Sequence, residues 1–255
     1  MPDPLNLSVN TVVGSILMEK SMPGPARDLV FLLDRNVRKS MNINWKKDID
    51  YTLYVCTDRQ LMSCKTMEES VEEAVKGGAS IIQLRDKSVS GRQLFETAVA
   101  LKKITDRYQV PLIINDRVDV AIAVNAAGVH LGQTDLPAAV ARTMLGEDKL
   151  IGVSTAKPEE AIQAVQDGAD YLGVGAMFTT STKTNTRPVT METLAAIRRA
   201  VEVPIVVIGG IKEENAALFC NVGVNGLAVV SSVIAQDNIK EAAVKMRGLF
   251  EGKGL

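Results

Sequence analysis

The chain has 255 residues, 46% of them hydrophobic and 23% charged, with a formal net charge of −1. These proportions are those of a globular protein, and so small a net charge excludes a broad field that would draw nucleic acid or anionic membrane to the surface; any anion site has to be local. The length admits two ordinary domains or one α/β barrel of about 250 residues.

Residues 1–49 carry the least regular pattern. The apolar run "VVGSILM", Val12 to Met18, is too short to span a bilayer, and Asp3 with no preceding Lys or Arg is the wrong flank for a secretory signal. "DLVFLLDRNV", Asp28 to Val37, has the spacing of a short amphipathic helix, preceded by a Pro/Gly joint in "SMPGPARD". Met41 is an alternative start for the functional chain, and no chemistry is assigned to the extension. Cys56, Cys64 and Cys220 form no CxxC pair and are odd in number, which points to a reduced, cytoplasmic setting.

From Tyr51 onward, short Val/Ile/Leu runs alternate with stretches of helical period, the pattern of βα units around a parallel sheet. The expected strands are Tyr51–Thr57, Ser80–Leu84, Pro111–Asn115, Gly128–Leu131, Leu150–Ser154, Tyr171–Gly175, Pro204–Gly209 and Gly226–Val230. Between them, Met67, Val71 and Ala74, then Leu94, Ala98 and Leu101, recur at the three- and four-residue spacing of a helix face. A weak repeat supports the count. Strands two, four, six and eight follow "GGAS", "AAGV", "DGAD" and "NVGVN", whose Gly78, Gly128, Gly168 and Gly223 are expected to close helices in the left-handed conformation. Strands three and seven are each introduced by Val-Pro. The repeat predicts a closed (βα)8 TIM barrel over residues 50–255, with residues 1–49 as an N-terminal extension; an open doubly wound sheet is the alternative.

In such a barrel the chemistry lies where strands end. Strand two ends in Gln83, Arg85 and Lys87, spaced so as to share one face, with Asp86 on the other. Strand three ends in Asn115 and Asp116, strand four in Gly132, Gln133 and Asp135, and strand five in Ser154. The loop "GAMFTTSTKTNT", Gly175 to Thr186, follows strand six, "GGI" at Gly209 strand seven and Ser231–Ser232 strand eight. Glycine-exposed N–H groups, hydroxyls and helix N-termini in those last loops suit a phosphate. Alternatively Gly209 and Gly210 make only a tight turn and Ser231 only caps a helix. Arg85, Lys87 and Lys183 beside Asp116 and Asp135 suggest a second anion of higher charge, a diphosphate with Mg²⁺ held by the two carboxylates. The competing reading of each aspartate is a helix N-cap. The single histidine, His130, reads as a packed strand residue rather than a general base. No Ser-His-Asp or Cys-His set, no GxGxxG after a strand and no His/Cys metal cluster is evident.

The blocks "QLRDK", "NDRVDVA", "GVHLGQTDLP", "GVST", "GAMFTTSTK", "VIGGI" and "VVSSV", in this order at strand ends, resemble the thiamine-phosphate synthase family over about four-fifths of the chain. The resemblance implies an enzyme that joins 4-amino-5-hydroxymethyl-2-methylpyrimidine diphosphate to hydroxyethylthiazole phosphate and releases diphosphate. It implies that Gln83, Arg85, Lys87, Asn115, Ser154 and Lys183 contact the pyrimidine diphosphate. Arg85, Lys87, Lys183 and Ser154 are then the catalytic set, and Asp116 and Asp135 hold Mg²⁺. Thr180, Ser181, Thr182, Gly210, Val230 and Ser231 take the thiazole phosphate. The implied chemistry is dissociative, with the loop of residues 175–186 expected to close over the cation it generates. Two departures stand out: Ala176 and Thr179 replace prolines common in the family, implying a less rigid loop, and the N-terminal extension has no counterpart in the minimal barrel. The rivals are a non-catalytic relative that keeps the phosphate pocket and a sugar-phosphate isomerase barrel, which would need a proton-shuttling residue at the strand ends. The two small-molecule substrates are the expected partners, with no nucleic acid and no membrane, and the oligomeric state is left open.

Overall fold

The computed structural model describes residues 45–63, 66–179 and 187–253. The chain divides into two units, Met1–Ile49 and Asp50–Leu255. Of the first, the described part is a 3-10 turn at Trp45–Asp48; the helix expected over Asp28–Val37 lies outside the described residues.

The second unit is a closed barrel of eight parallel strands in sequence order. They are β1 (Leu53–Cys56), β2 (Ile81–Leu84), β3 (Leu112–Asn115), β4 (Gly128–Leu131), β5 (Leu150–Thr155), β6 (Tyr171–Val174), β7 (Ile205–Ile208) and β8 (Gly226–Val229). Closure comes from β8 pairing back onto β1, Leu53 opposite Leu227. The TIM barrel predicted from the repeat is therefore the fold, and each strand lies within a residue or two of its expected span.

Around the barrel run α1 (Met67–Lys76), α2 (Gly91–Arg107), α3 (Val118–Ala123), α4 (Ala138–Leu145), α5 (Pro158–Gln166), α6 (Met191–Ala200), α7 (Glu213–Ala216), α8 (Ser231–Ile234) and α9 (Ile239–Phe250). Reciprocal capping boxes start α1, from Thr66 and Glu69, and α2, from Ser90 and Gln93. None of the described helices is long and apolar enough to cross a membrane.

Alternation along each strand sorts the core into two layers. Ile82 and Leu84 of β2, Ile114 of β3, Val129 and Leu131 of β4 and Leu172 and Val174 of β6 join the cluster packed against the helices. The residues between them turn inward, and several are polar: Gln83, His130 and Tyr171. Burying polar groups there is favourable only if they bond one another.

Three of the four closing glycines behave as expected, with φ of 96° at Gly78, 91° at Gly168 and 79° at Gly223. Gly128 does not. It lies inside β4, where a Cβ would come 2.0 Å from the carbonyl oxygen of Leu150, so glycine is required for close strand approach. Asn125, at φ 52°, makes the left-handed turn instead.

Candidate active site

Arg85 and Lys87 lie just beyond the end of β2, and neither stands free. Arg85 Nη1 donates to Asp58 Oδ2 at 2.9 Å, and Lys87 Nζ meets Asp116 Oδ2 at 2.9 Å. Asp58 comes from the loop after β1, Asp116 from the end of β3; the two cations are thus tied to the strands on either side of their own. Thr57 Oγ1 fixes the intervening backbone, accepting from Arg85 N at 3.0 Å and donating to Arg85 O at 3.2 Å.

A second pair runs the other way across the same loops. Arg59 Nε donates to Asp86 Oδ2 at 2.6 Å, and Asp86 Oδ1 accepts from the hydroxyl and the N–H of Ser88. The Asp86 side chain is only 1% exposed while that of Arg59 is 43% exposed. So deeply covered a carboxylate aims Arg59 rather than meeting a ligand. "Asp58-Arg59" and "Arg85-Asp86" form crossed ion pairs that lock the β1 and β2 loops together. Asp58 and Arg59 are not among the residues expected at the site, although their position directly after β1 was the available signal.

Gln83, Arg85 and Lys87 do not make one open face. Gln83 is inside the barrel, its Nε2 donating to Tyr54 Oη at 2.7 Å. Arg85 turns to β1, and Lys87 reaches β3.

Asp116 takes φ 53°, an uncommon conformation for a residue other than glycine. Its N–H donates to His130 O, and its Oδ2 also accepts from Asn115 Nδ2 at 2.9 Å. It does not cap α3: Arg117 occupies that position, without a side-chain cap. Asp135 Oδ2 accepts from the N–H of Gly132 at 2.6 Å, holding the β4 loop, and α4 likewise begins without a side-chain cap. The capping readings therefore fail for both carboxylates. They lie in the loops that follow the adjacent strands β3 and β4 and offer hard oxygen donors, which suits an Mg²⁺ that takes one or two carboxylates and fills its remaining positions with water and substrate oxygens. Among the described residues no group of three or more potential ligands occurs.

At β5, Ser154 Oγ lies 2.9 Å from His130 Nε2, and the Ser154 carbonyl accepts from Gln133 Nε2 at 2.8 Å. Cys56, buried near Arg85, is no nucleophile: burial pushes its thiol up to about 12, with Arg85 only partly opposing.

On the far side, Gly209 and Gly210 have φ of 97° and 65°. A Cβ on Gly210 would fall 2.7 Å from the carbonyl oxygen of Thr179, because the chain leaving β6 passes close by, with Phe178 N donating to Gly209 O. Val230 precedes the first turn of α8, and Ser231 opens that helix with its side chain exposed and uninvolved in capping. Ala176 is buried and bonded to the backbone of both Arg187 and Val189, which anchors this end of the loop. Thr180, Ser181, Thr182 and Lys183 lie outside the described residues.

The family model for thiamine monophosphate synthase matches residues 53–233, the whole of the barrel from β1 to the first turn after β8. The chain belongs to the thiamine monophosphate synthase family. The thiamine-phosphate synthase of Ruminiclostridium cellulolyticum is 55% identical over 208 residues, which cover 82% of this chain and 99% of that protein. That of Clostridium botulinum is 50% identical over 206 residues, covering 81% and 97%. Among solved structures, thiamine phosphate pyrophosphorylase from Pyrococcus furiosus superposes with a TM-score of 0.74 at 40% identity, covering 80% of this chain and 97% of that one. The share of the chain left over is close to the length of the N-terminal unit. A barrel of this family built on the crossed Asp58–Arg85 and Arg59–Asp86 pairs thus presents its cations already oriented.

Proposed function

We propose that this chain, an enzyme of the thiamine-phosphate synthase family, transfers the pyrimidinylmethyl group of 4-amino-5-hydroxymethyl-2-methylpyrimidine diphosphate to the ring nitrogen of hydroxyethylthiazole phosphate. The observation that carries this reading is the pair of cations, Arg85 and Lys87, held by aspartates at the mouth of a barrel whose relatives share half their residues with it.

In the reaction the C–O bond to diphosphate breaks with both electrons leaving on oxygen, and the thiazole nitrogen lone pair then forms the C–N bond to the methylene carbon. No proton has to be removed, so no general base is required. The barrier lies in separating the charge, and it is lowered by groups fixed before the bond breaks. Arg85 meets the departing diphosphate in the orientation that Asp58 and Thr57 impose, and Lys87 does so in exchange for its contact with Asp116. Asn115 and Ser154 orient the pyrimidine ring. Lys183 adds a third cation to the diphosphate, while Thr180, Ser181 and Thr182 with Gly210, Val230 and Ser231 hold the thiazole phosphate. Asp116 and Asp135 would hold Mg²⁺, which when bound neutralises charge on the diphosphate. The setting proposed is the cytoplasm.

Incubation with both heterocycles and Mg²⁺ tests the reading. Thiamine phosphate and diphosphate should appear in equal amounts, and their absence from both the full chain and a form beginning at residue 50 would overturn it.

A further inference from the structure

Five side chains cross the floor of the site in one unbroken chain of hydrogen bonds. Gln83 Nε2 donates to Tyr54 Oη at 2.7 Å; Tyr54 Oη and Tyr171 Oη are 2.9 Å apart; Tyr171 Oη lies 3.2 Å from His130 Nδ1; His130 Nε2 lies 2.9 Å from Ser154 Oγ. The two ends, Gln83 and Ser154, are among the residues that the family resemblance implies contact the pyrimidine diphosphate. The three links between them, Tyr54, His130 and Tyr171, had no assigned role.

Counting protons gives this chain a direction. Tyr54 is 1% exposed and Tyr171 fully buried, so each hydroxyl must place its hydrogen on a neighbour within the protein. Burial also keeps both phenols protonated, raising them far above the usual tyrosine range. With Gln83 donating, the Tyr54 hydrogen goes to Tyr171, and the Tyr171 hydrogen goes to His130 Nδ1. The neutral imidazole then carries its proton on Nε2 and donates to Ser154 Oγ. The Ser154 hydrogen is left to point away from His130, while Gln83 Oε1 is left to accept.

The space for this chain is written into the neighbouring strands. A Cβ on Gly152 would come 2.1 Å from Tyr171 Cζ and 2.6 Å from His130 Nδ1, and one on Gly173 would come 2.9 Å from His130 Cε1. Two strands therefore leave out a side chain where the rings meet.

We infer that Tyr54, Tyr171 and His130 are positioning residues that fix Gln83 as an acceptor and Ser154 as a donor, so that the site selects a 4-aminopyrimidine over a 4-oxopyrimidine. The inference rests on the functional reading above. An aminopyrimidine offers an N–H donor on its exocyclic amine beside an acceptor ring nitrogen, the complement of that pair. An oxo ring offers the reverse. Accepting it requires both ends to invert, and because the ends are joined, all five groups must invert together. A site built this way rejects the mismatched ring by leaving buried groups unpaired.

The test uses the full chain with any affinity tag removed, so that His130 is the sole histidine. Nitrogen-15 NMR of its imidazole should show the proton on Nε2 with Nδ1 bare; a resting protein with the proton on Nδ1 overturns the inference. In turnover assays, Tyr171→Phe should cut the preference for the amino over the oxo pyrimidine diphosphate by about tenfold or more, with KM for the thiazole phosphate unchanged. An unchanged preference, or equal rises in KM for both substrates, overturns it. Should Tyr171→Phe fail to fold, Tyr54→Phe breaks the chain one link away with the same expected result. Parent protein that forms no product from the amino substrate overturns the functional reading and selection with it, whereas an active parent with the wrong tautomer overturns the inference alone.

Discussion

Asp58 carries a consequence that can be measured separately from folding. It holds Arg85 in a partly buried pair; if Arg85 meets the diphosphate as proposed, losing that anchor spreads it over a range of poses, a loss of orientation worth about tenfold to a hundredfold in rate. Asp58→Asn is therefore expected to lower kcat/KM for the pyrimidine diphosphate by that amount and to leave KM for the thiazole phosphate alone, with steady-state kinetics as the check. Asp116→Ala should weaken Mg²⁺-dependent turnover while calorimetry still detects the thiazole phosphate; a variant as active as the parent would remove this residue from the metal site. At Gly210, φ of 65° and the nearby Thr179 carbonyl oppose any side chain. Gly210→Ala should cost about 1 kcal/mol of stability and raise KM for the thiazole phosphate, read by thermal unfolding and kinetics together. At this scale the sequence disclosed residue types better than partners. Arg85, Lys87 and Asp116 stood out as charges at strand ends, but that the β1 loop would answer the β2 loop with an inverted Asp-Arg pair depends on strand register, which no local pattern contains. His130 read as a packed residue, and it is one; that its neighbours are Tyr171 and Ser154 follows only from the order of β4, β5 and β6.

Among the elements, the joints between helices and strands do more than connect. Arg142 on α4 donates to the carbonyls of Gly146, Lys149 and Gly168 and to Asp170 Oδ2, tying the loops that lead into β5 and β6. Removing it leaves several acceptors and a partly buried carboxylate without their cation. Arg142→Ala should therefore destabilise the barrel by about 3 kcal/mol and lower Tm by roughly 6 to 12 °C. A second joint is pH-sensitive. Burial alone would raise the Glu160 carboxyl on α5, but hydrogen bonds from Arg187 and the Ala156 N–H outweigh it and hold the carboxyl below its usual range. A carboxyl lowered in the folded state contributes stability above its unfolded value and loses it as pH falls through the folded one. The Tm advantage of the parent over Glu160→Gln should thus be full near neutrality and shrink below pH about 4. Strand positions were legible because fully buried parallel strands must be aliphatic. The closing turn before β4 was misread, since "NAAG" offers two residues able to take the left-handed turn and only the close approach of Leu150 reserves Gly128 for the strand.

For the molecule as a whole, eight repeated units dictate a closed barrel, the barrel collects strand ends at one mouth, and the mouth sorts its polar residues into two kinds of work. Inward-facing residues bond one another across the floor of the barrel, from Gln83 to Ser154. Residues beyond the strand ends pair with neighbouring loops and present charge. The N-terminal unit stays outside this scheme, and the match to the family begins only at β1. The most direct measurement is product formation from the two heterocycle phosphates with Mg²⁺, followed by chromatography. The account predicts thiamine phosphate and diphosphate in one-to-one yield, with rate lost when Arg85 is changed to alanine. Contradiction would come from a folded protein that binds the thiazole phosphate but releases no diphosphate.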